Sequence, residues 1–266
     1  RQLQGEDHLD FAESLHYLSG IEEWLGHFEK AQPLAEQALE IREKHLGEKH
    51  PQVARSLANL VWLSGVQGDL GRAEALAEKM IAIRREVLGE RHPETGVSLG
   101  TLAWVKGLQG RFDDALPLAE EGREILRESL GEKHRSYASA LSVEAWICGA
   151  QNKIEESEKL HRQILEIQRH ALGEDHPAYA KSLADLASCY GMQGKHEEAE
   201  PMLRDALQRL EKVMGREHPE VSHVLHDLSN VLRGQNNLTE AYECAEAAVE
   251  INRKVFGEHH ASYASS

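Results

Sequence analysis

Leu46-Gly47-Glu48-Lys49-His50-Pro51 returns as Leu172-Gly173-Glu174-Asp175-His176-Pro177, and its glycine and histidine recur at one fixed spacing along the chain. Gly5, Gly47, Gly89, Gly131, Gly173, Gly215 and Gly257 stand 42 residues apart, without a slip. His8, His50, His92, His134, His176, His218 and His260 each follow three residues later. A strict period of this size marks stacked supersecondary units, each touching only its neighbours, rather than one globular core.

The stretch from His50 to Gly89 shows what one unit is. Pro51 suits the first turn of a helix, where its missing N–H would have no partner anyway. Ala54, Leu57, Leu60 and Val61 follow at helical spacing. Gln67-Gly68-Asp69 interrupts the pattern, and Ala73, Leu76, Ala77, Met80 and Val87 line one side of a second helix. That helix is expected to close at a left-handed Gly89, with Arg84 and Arg85 complementing its dipole. Each unit therefore reads as helix A, a tight turn and a longer helix B. Helix starts are expected near Pro51, Pro93, Pro177 and Pro219, and breaks near Gly68, Gly110 and Gly194. The reading is a single array over 1–266, with full repeats at 8–46, 50–88, 92–130, 134–172, 176–214 and 218–256 and partial repeats at both ends.

The motif Leu46 to Pro51, with Leu57-Ala58-Asn59-Leu60, Gln67-Gly68 and Ala73-Glu74, resembles the 42-residue tetratricopeptide (TPR) repeat of the kinesin light chain type. Leu172 to Pro177, Gln193-Gly194 and Ala199-Glu200-Pro201 carry it again. Departures are Arg135 and Ala261 in place of the proline, and Gln151-Asn152 and Gln235-Asn236 in place of Gln-Gly. The resemblance implies an all-α, right-handed α-solenoid (superhelix) of stacked antiparallel helix pairs, with the A helices lining a concave inner groove. It says little about function, since similar arrays serve as cargo adaptors and as parts of regulators.

Composition bounds the partner. The formal charge is −15, from 45 acidic against 30 basic residues. A nucleic-acid binder would carry a basic stripe or excess, and none is evident, so the expected partner is a protein or extended peptide. The acid excess reads as a solvated outer face or as complement to a basic partner. Cys148, Cys189 and Cys244 have neither disulfide nor zinc spacing; as reduced core thiols they favour a cytoplasmic setting. No run of 18 apolar residues exists, so no membrane span is expected. Arg1 to Gly5 aligns with Arg85 to Gly89, and His260 to Ser266 with the start of a unit. The array is therefore expected to continue beyond both ends.

No catalytic residue, cofactor or metal site is expected. There is no Gly-rich phosphate loop, no nucleophile with a matched base, and no metal-spaced cluster. The periodic histidines fall one per unit, whereas a metal needs several ligands converging within about 2 Å of one ion. A role at the helix start is expected for them. His223 and His226, one turn apart near Asp227, form the tightest pair and still read as structural.

At 100° per residue, Arg55, Asn59, Trp62 and Val66 fall together on helix A, away from its core stripe. The same positions in later units supply Thr101, Trp104 and Leu108, then Ser139 and Trp146, then Lys181 and Asp185, then His223 and Asp227. These are the candidate partner-binding residues. Trp62, Trp104 and Trp146 would form a ladder at least about 20 Å long, read either as binding hot spots or as rings packed flat between A helices. Gly65, Gly107, Gly149 and Gly191 share the period and allow either close helix approach or a cleft beside each ring. Resemblance to related arrays suggests that Asn59 hydrogen-bonds a peptide backbone. The change from aromatic to acidic residues along the stripe fits a peptide with apolar anchors and a basic end.

Two functions fit: an interaction scaffold whose groove binds a peptide or partner protein, or a regulatory array of a larger protease, kinase or ATPase. One anomaly remains. Glu144 stands where the other units have leucine, and Lys106 lies at a core-facing angle in the preceding unit. The two are expected to meet, since a buried charge requires a partner; the alternative is a Glu144 that reaches solvent at the helix edge.

Overall fold

A computed structural model of the protein describes residues 8–256. Gly5, Gly257, His260, Ala261 and the partial repeats at both ends lie outside the described residues. Within them the chain forms twelve α-helices and no strand. They are α1 (Leu9–Trp24), α2 (Phe28–Leu46), α3 (Pro51–Val66), α4 (Leu70–Leu88), α5 (Pro93–Leu108), α6 (Phe112–Leu130), α7 (Arg135–Ala150), α8 (Ile154–Ala171), α9 (Pro177–Met192), α10 (His196–Met214), α11 (Pro219–Gly234) and α12 (Leu238–Phe256). Odd-numbered helices are the A helices and even-numbered ones the B helices. Helices start at Pro51, Pro93, Pro177 and Pro219 and break around Gly68, Gly110 and Gly194, as the sequence implies.

The chain forms two compact units, residues 1–131 and 132–266. In the first, α1 to α6 pack as three A/B pairs, with α2 also lying against α3 and α4 against α5. Small residues stand at the core faces of the paired helices, Ala12 and Ala38 in one cluster and Ala54 against Met80 in the next, and Gly96 and Gly122 bring α5 and α6 close. Leu57, Leu60, Leu63, Leu99 and Ile125 fill the space around them. The second unit, α7 to α12, repeats the plan with Ala138, Leu141 and Ile164, and then with Ala180, Leu183, Leu203, Ala206, Val224 and Leu228.

The periodic histidine caps helix A. The Nδ1 atoms of His8, His50, His92, His134, His176 and His218 each accept the backbone N–H two residues on, at 3.1–3.2 Å. An imidazole thus takes the part usually played by Ser, Thr, Asp or Asn. Replacing His50 by Ala should cost about 1 kcal/mol in urea denaturation, and His50→Asn should restore most of it; equal losses for both would disprove the cap.

The periodic glycine has a more specific reason than expected. Gly89 adopts φ 98°, ψ 162°, a region open essentially to glycine alone, not the left-handed helical region. The glycine of the Gln-Gly turn is different. Its place is taken by Asn152 at φ 62° and Asn236 at φ 64°, and asparagine tolerates left-handed backbone. This is why the sequence departs from glycine at one position and never at the other.

The Gln of that turn ties one repeat to the preceding helix B. Gln109 Nε2 donates to Glu74 Oε2 at 2.9 Å, and Gln193 Nε2 donates to Glu158 Oε2 at 2.6 Å. The Glu74 carboxylate also meets Lys106, a buried charge for which the sequence demands a partner. Lys106 Nζ reaches back to Glu74 Oε1 at 2.5 Å, and Arg111 Nη1 reaches the same atom at 2.9 Å. Lys106 projects from α5 toward α4, where the carboxylate is already positioned, so its charge is met within the first unit. Glu144 is buried in α7, which excludes the solvent-reaching alternative.

Candidate functional site

Each unit carries a cavity on the face of its A helices. In the first unit, α1 and α3 line a cavity of about 710 Å³ with His16, Tyr17, Ile21, Glu23, Trp24, Arg55, Asn59 and Trp62. Its walls are aromatic and accessible: Trp24 is 58% exposed. Trp62 is half-buried and rests on Phe28, with ring centroids 5.6 Å apart. Arg55 donates to Glu13 at 3.0 Å and lies over the Tyr17 ring. Asn59 Nδ2 donates to Ser19 Oγ at 3.2 Å, while its Oδ1 is buried with no partner among the described residues. Burial among these rings pushes the Glu23 carboxyl up to about 7 and the His16 imidazole down.

In the second unit, α7, α9 and α11 form a cleft of about 970 Å³, with side chains from α8 and α10 at its floor. It gathers Trp146, Lys181, Asp185, His223 and Asp227. Lys181 Nζ pairs with Glu220 Oε1 at 2.9 Å, and the Ser188 hydroxyl donates to Asp227 Oδ2. Burial raises the Asp185 carboxyl to about 6, against the pull of Lys181 and His223, and Asp227 and Glu220 push it the same way as burial. His161 is only 7% exposed, and its Nδ1 has no partner among the described residues. Burial holds this imidazole down at about 4, so it stays neutral.

Eight of the thirteen sequence candidates therefore line one cavity or the other. Val66, Thr101, Trp104, Leu108 and Ser139 line neither. Thr101 and Ser139 turn their hydroxyls back onto their own helices, donating to the Val97 and Arg135 carbonyls. Trp104 is packed: a Cβ built on Gly65 would lie 2.4 Å from its ring. Gly65 thus serves close approach, whereas Gly149 and Gly191 line the cleft of the second unit. The three tryptophans, alike in sequence, have different surroundings.

Sequence reasoning missed Tyr17 and Trp24 in the first unit and Ser188, Met192 and Asn230 in the second. A signal existed. Tyr17 is in register with Asn59, Trp24 with Val66, and Ser188 and Asn230 with Trp62. His161 had no such signal, since it comes from helix B. Among the described residues no group of three or more His, Cys, Asp or Glu could hold a metal, and no helix is long and apolar enough to cross a membrane.

Helix pairs at a 42-residue period, joined by short turns of which most are Gln-Gly or Gln-Asn, define a helical-repeat protein. The tetratricopeptide repeat family model matches residues 10–79, 64–128, 108–170, 138–212 and 192–251, and the chain belongs to that family. Among solved structures it is similar to the kinesin light chain "nearly identical TPR-like repeats" of Podosopora anserina, with 26% identity and a TM-score of 0.60 over 78% of this chain and 98% of that one. It is also similar to BtubC (BKLC) from P. vanneervenii, with 21% identity and a TM-score of 0.65 over 90% and 93% of the two chains. Aspartyl phosphate phosphatase F from Bacillus subtilis shares the fold at 16% identity, with a TM-score of 0.70 over 96% of this chain and 62% of that one. No match was found among curated proteins.

Proposed function

We propose that the chain is a protein-interaction scaffold that binds an extended peptide segment of a partner protein on the faces of its A helices, with no catalytic step of its own. The observation that carries this reading is the pair of cavities, each built from A-helix register positions and each combining accessible aromatic surface with hydrogen-bonding groups. Exposed tryptophan and tyrosine rings beside desolvated polar atoms are the usual composition of binding hot spots. In the first unit, Asn59 lines the cavity beside Arg55 and Trp62 and supplies an amide among the aromatic walls. The acidic balance of the chain, −15 overall, disfavours nucleic acid as the partner.

The test is selection of a random-peptide display library on the whole chain, followed by affinities of the selected peptides for groove variants. Trp24→Ala and Trp62→Ala in the first unit, or Trp146→Ala in the second, should each weaken the peptides seated there by at least about tenfold. Helicity should stay near that of the wild type. Failure to select any peptide, or affinities untouched by all three substitutions, would overturn the reading.

A further inference from the structure

The geometry points to the cleft of the second unit as a receptor for a cationic side chain, the lysine or arginine of a bound peptide, held between Asp185 and Asp227. This rests on the peptide-binding reading above and assigns that peptide its chemistry.

Three observations converge. First, the two carboxylates line one cleft from neighbouring A helices. Asp227 is oriented by the Ser188 hydroxyl, while Asp185 makes no hydrogen bond to another described residue. Second, the cations lining the cleft make their hydrogen bonds elsewhere, Lys181 to Glu220 and Arg233 to Asn230 at 3.0 Å, so that Lys181 and His223 act on Asp185 only at longer range. Third, His161 lines the same cleft from α8, buried and neutral, with an unpartnered Nδ1. A desolvated carboxylate without a hydrogen bond favours a ligand with several N–H donors, as ammonium and guanidinium groups have, and the neutral imidazole beside it adds no positive charge to repel one.

Other occupants fit worse. An anion entering here would face two carboxylates. An apolar side chain would complete the desolvation of Asp185 without pairing it, which is unfavourable. Trp146, 38% exposed, and Met192 supply an apolar wall at the same cleft. The aliphatic stem of a lysine or arginine, or the residue beside it, can lie along that wall.

A proton linkage follows. The groups that face Asp185 are Lys181 and Cys189 on its own helix and Glu220, His223 and Asp227 on α11. A bound cation stabilises the ionised carboxyl, so peptide binding near pH 6 should release a proton from Asp185, and affinity should fall as the pH drops below about 6.

The experiment uses the same display library. On the wild type, selected peptides should be enriched in lysine or arginine next to an apolar residue. Replacing the arginine of such a peptide by citrulline, neutral and nearly isosteric, should weaken it by about 10- to 100-fold. Asp185→Asn and Asp227→Asn should each abolish the enrichment, and peptides seated in the first unit should bind as before. Calorimetry in buffers of different ionisation heat should show proton release near pH 6 for the wild type and none for Asp185→Asn. Peptides selected without cationic bias, or a bias that survives both substitutions, would overturn the cation assignment and leave the scaffold reading intact. Selection of no peptide at all would overturn both.

Discussion

Replacing Glu74 by leucine should destabilise the first unit by about 3–5 kcal/mol, because it strips a buried ammonium of its counter-charge. The Lys106 side chain is 10% exposed and meets Glu74 at 2.5 Å. Replacing both residues by leucine should recover most of the loss, since a well-packed apolar pair avoids the desolvation penalty altogether. The same contact predicts an acid limb. Hydrogen bonds from Lys106, Gln109 and Arg111 hold the Glu74 carboxyl down at about 2, against 4.5 ordinarily. The folded state thus favours the ionised form, and this stabilisation is complete above about pH 4.5. It is lost as the pH falls toward 2, amounting to about 1–2 kcal/mol once solvent screening is allowed for. Urea denaturation followed by circular dichroism at pH 7, 4 and 2.5 measures both effects. A Glu74→Leu variant as stable as the wild type at pH 7 would show that the ion pair contributes nothing.

Two identical substitutions in one helix pair should have opposite signs. A Cβ added at Gly122 would lie 2.6 Å from the Gly96 carbonyl oxygen and 3.2 Å from the Gly100 backbone nitrogen. Backbone cannot rotate away as a side chain can, so α5 and α6 must move apart. Overpacking of this kind costs about 3 kcal/mol, and the better helix propensity of alanine returns only about 1 kcal/mol. Gly122→Ala should therefore lose about 2 kcal/mol net. Gly100→Ala, with no atom within 4 Å of its added Cβ, should gain up to about 1 kcal/mol from propensity alone. Thermal melts of the two variants decide it. Equal shifts would mean that the close approach of Gly96 and Gly122 carries no energetic weight.

The candidate site was partly legible in the sequence. Arg55, Asn59, Trp62, Trp146, Lys181, Asp185, His223 and Asp227 line the two cavities because helical phase and a fixed period determine which side of helix A they occupy. Phase alone could not separate Trp146 from Trp104. Both occupy one register position, yet Gly65 lets the Trp104 ring seat against α3, and this depends on what the neighbouring helix presents. His161 was invisible for a related reason. It lies on helix B, in register with Ala77 and Ala119, and reaches the cleft only because the packing of α8 carries it there.

The sequence by itself determined the repeat, the helix boundaries, the capping histidines and the family. All of these depend on contacts within a few residues, which recur with the period. Only the tertiary structure decided which charges pair and which rings stay accessible. Lys106 meets Glu74 because α4 lies against α5 and offers a carboxylate already fixed by Gln109. Such choices depend on distances between helices, and those are set by whether glycine, alanine or a larger side chain stands at each crossing.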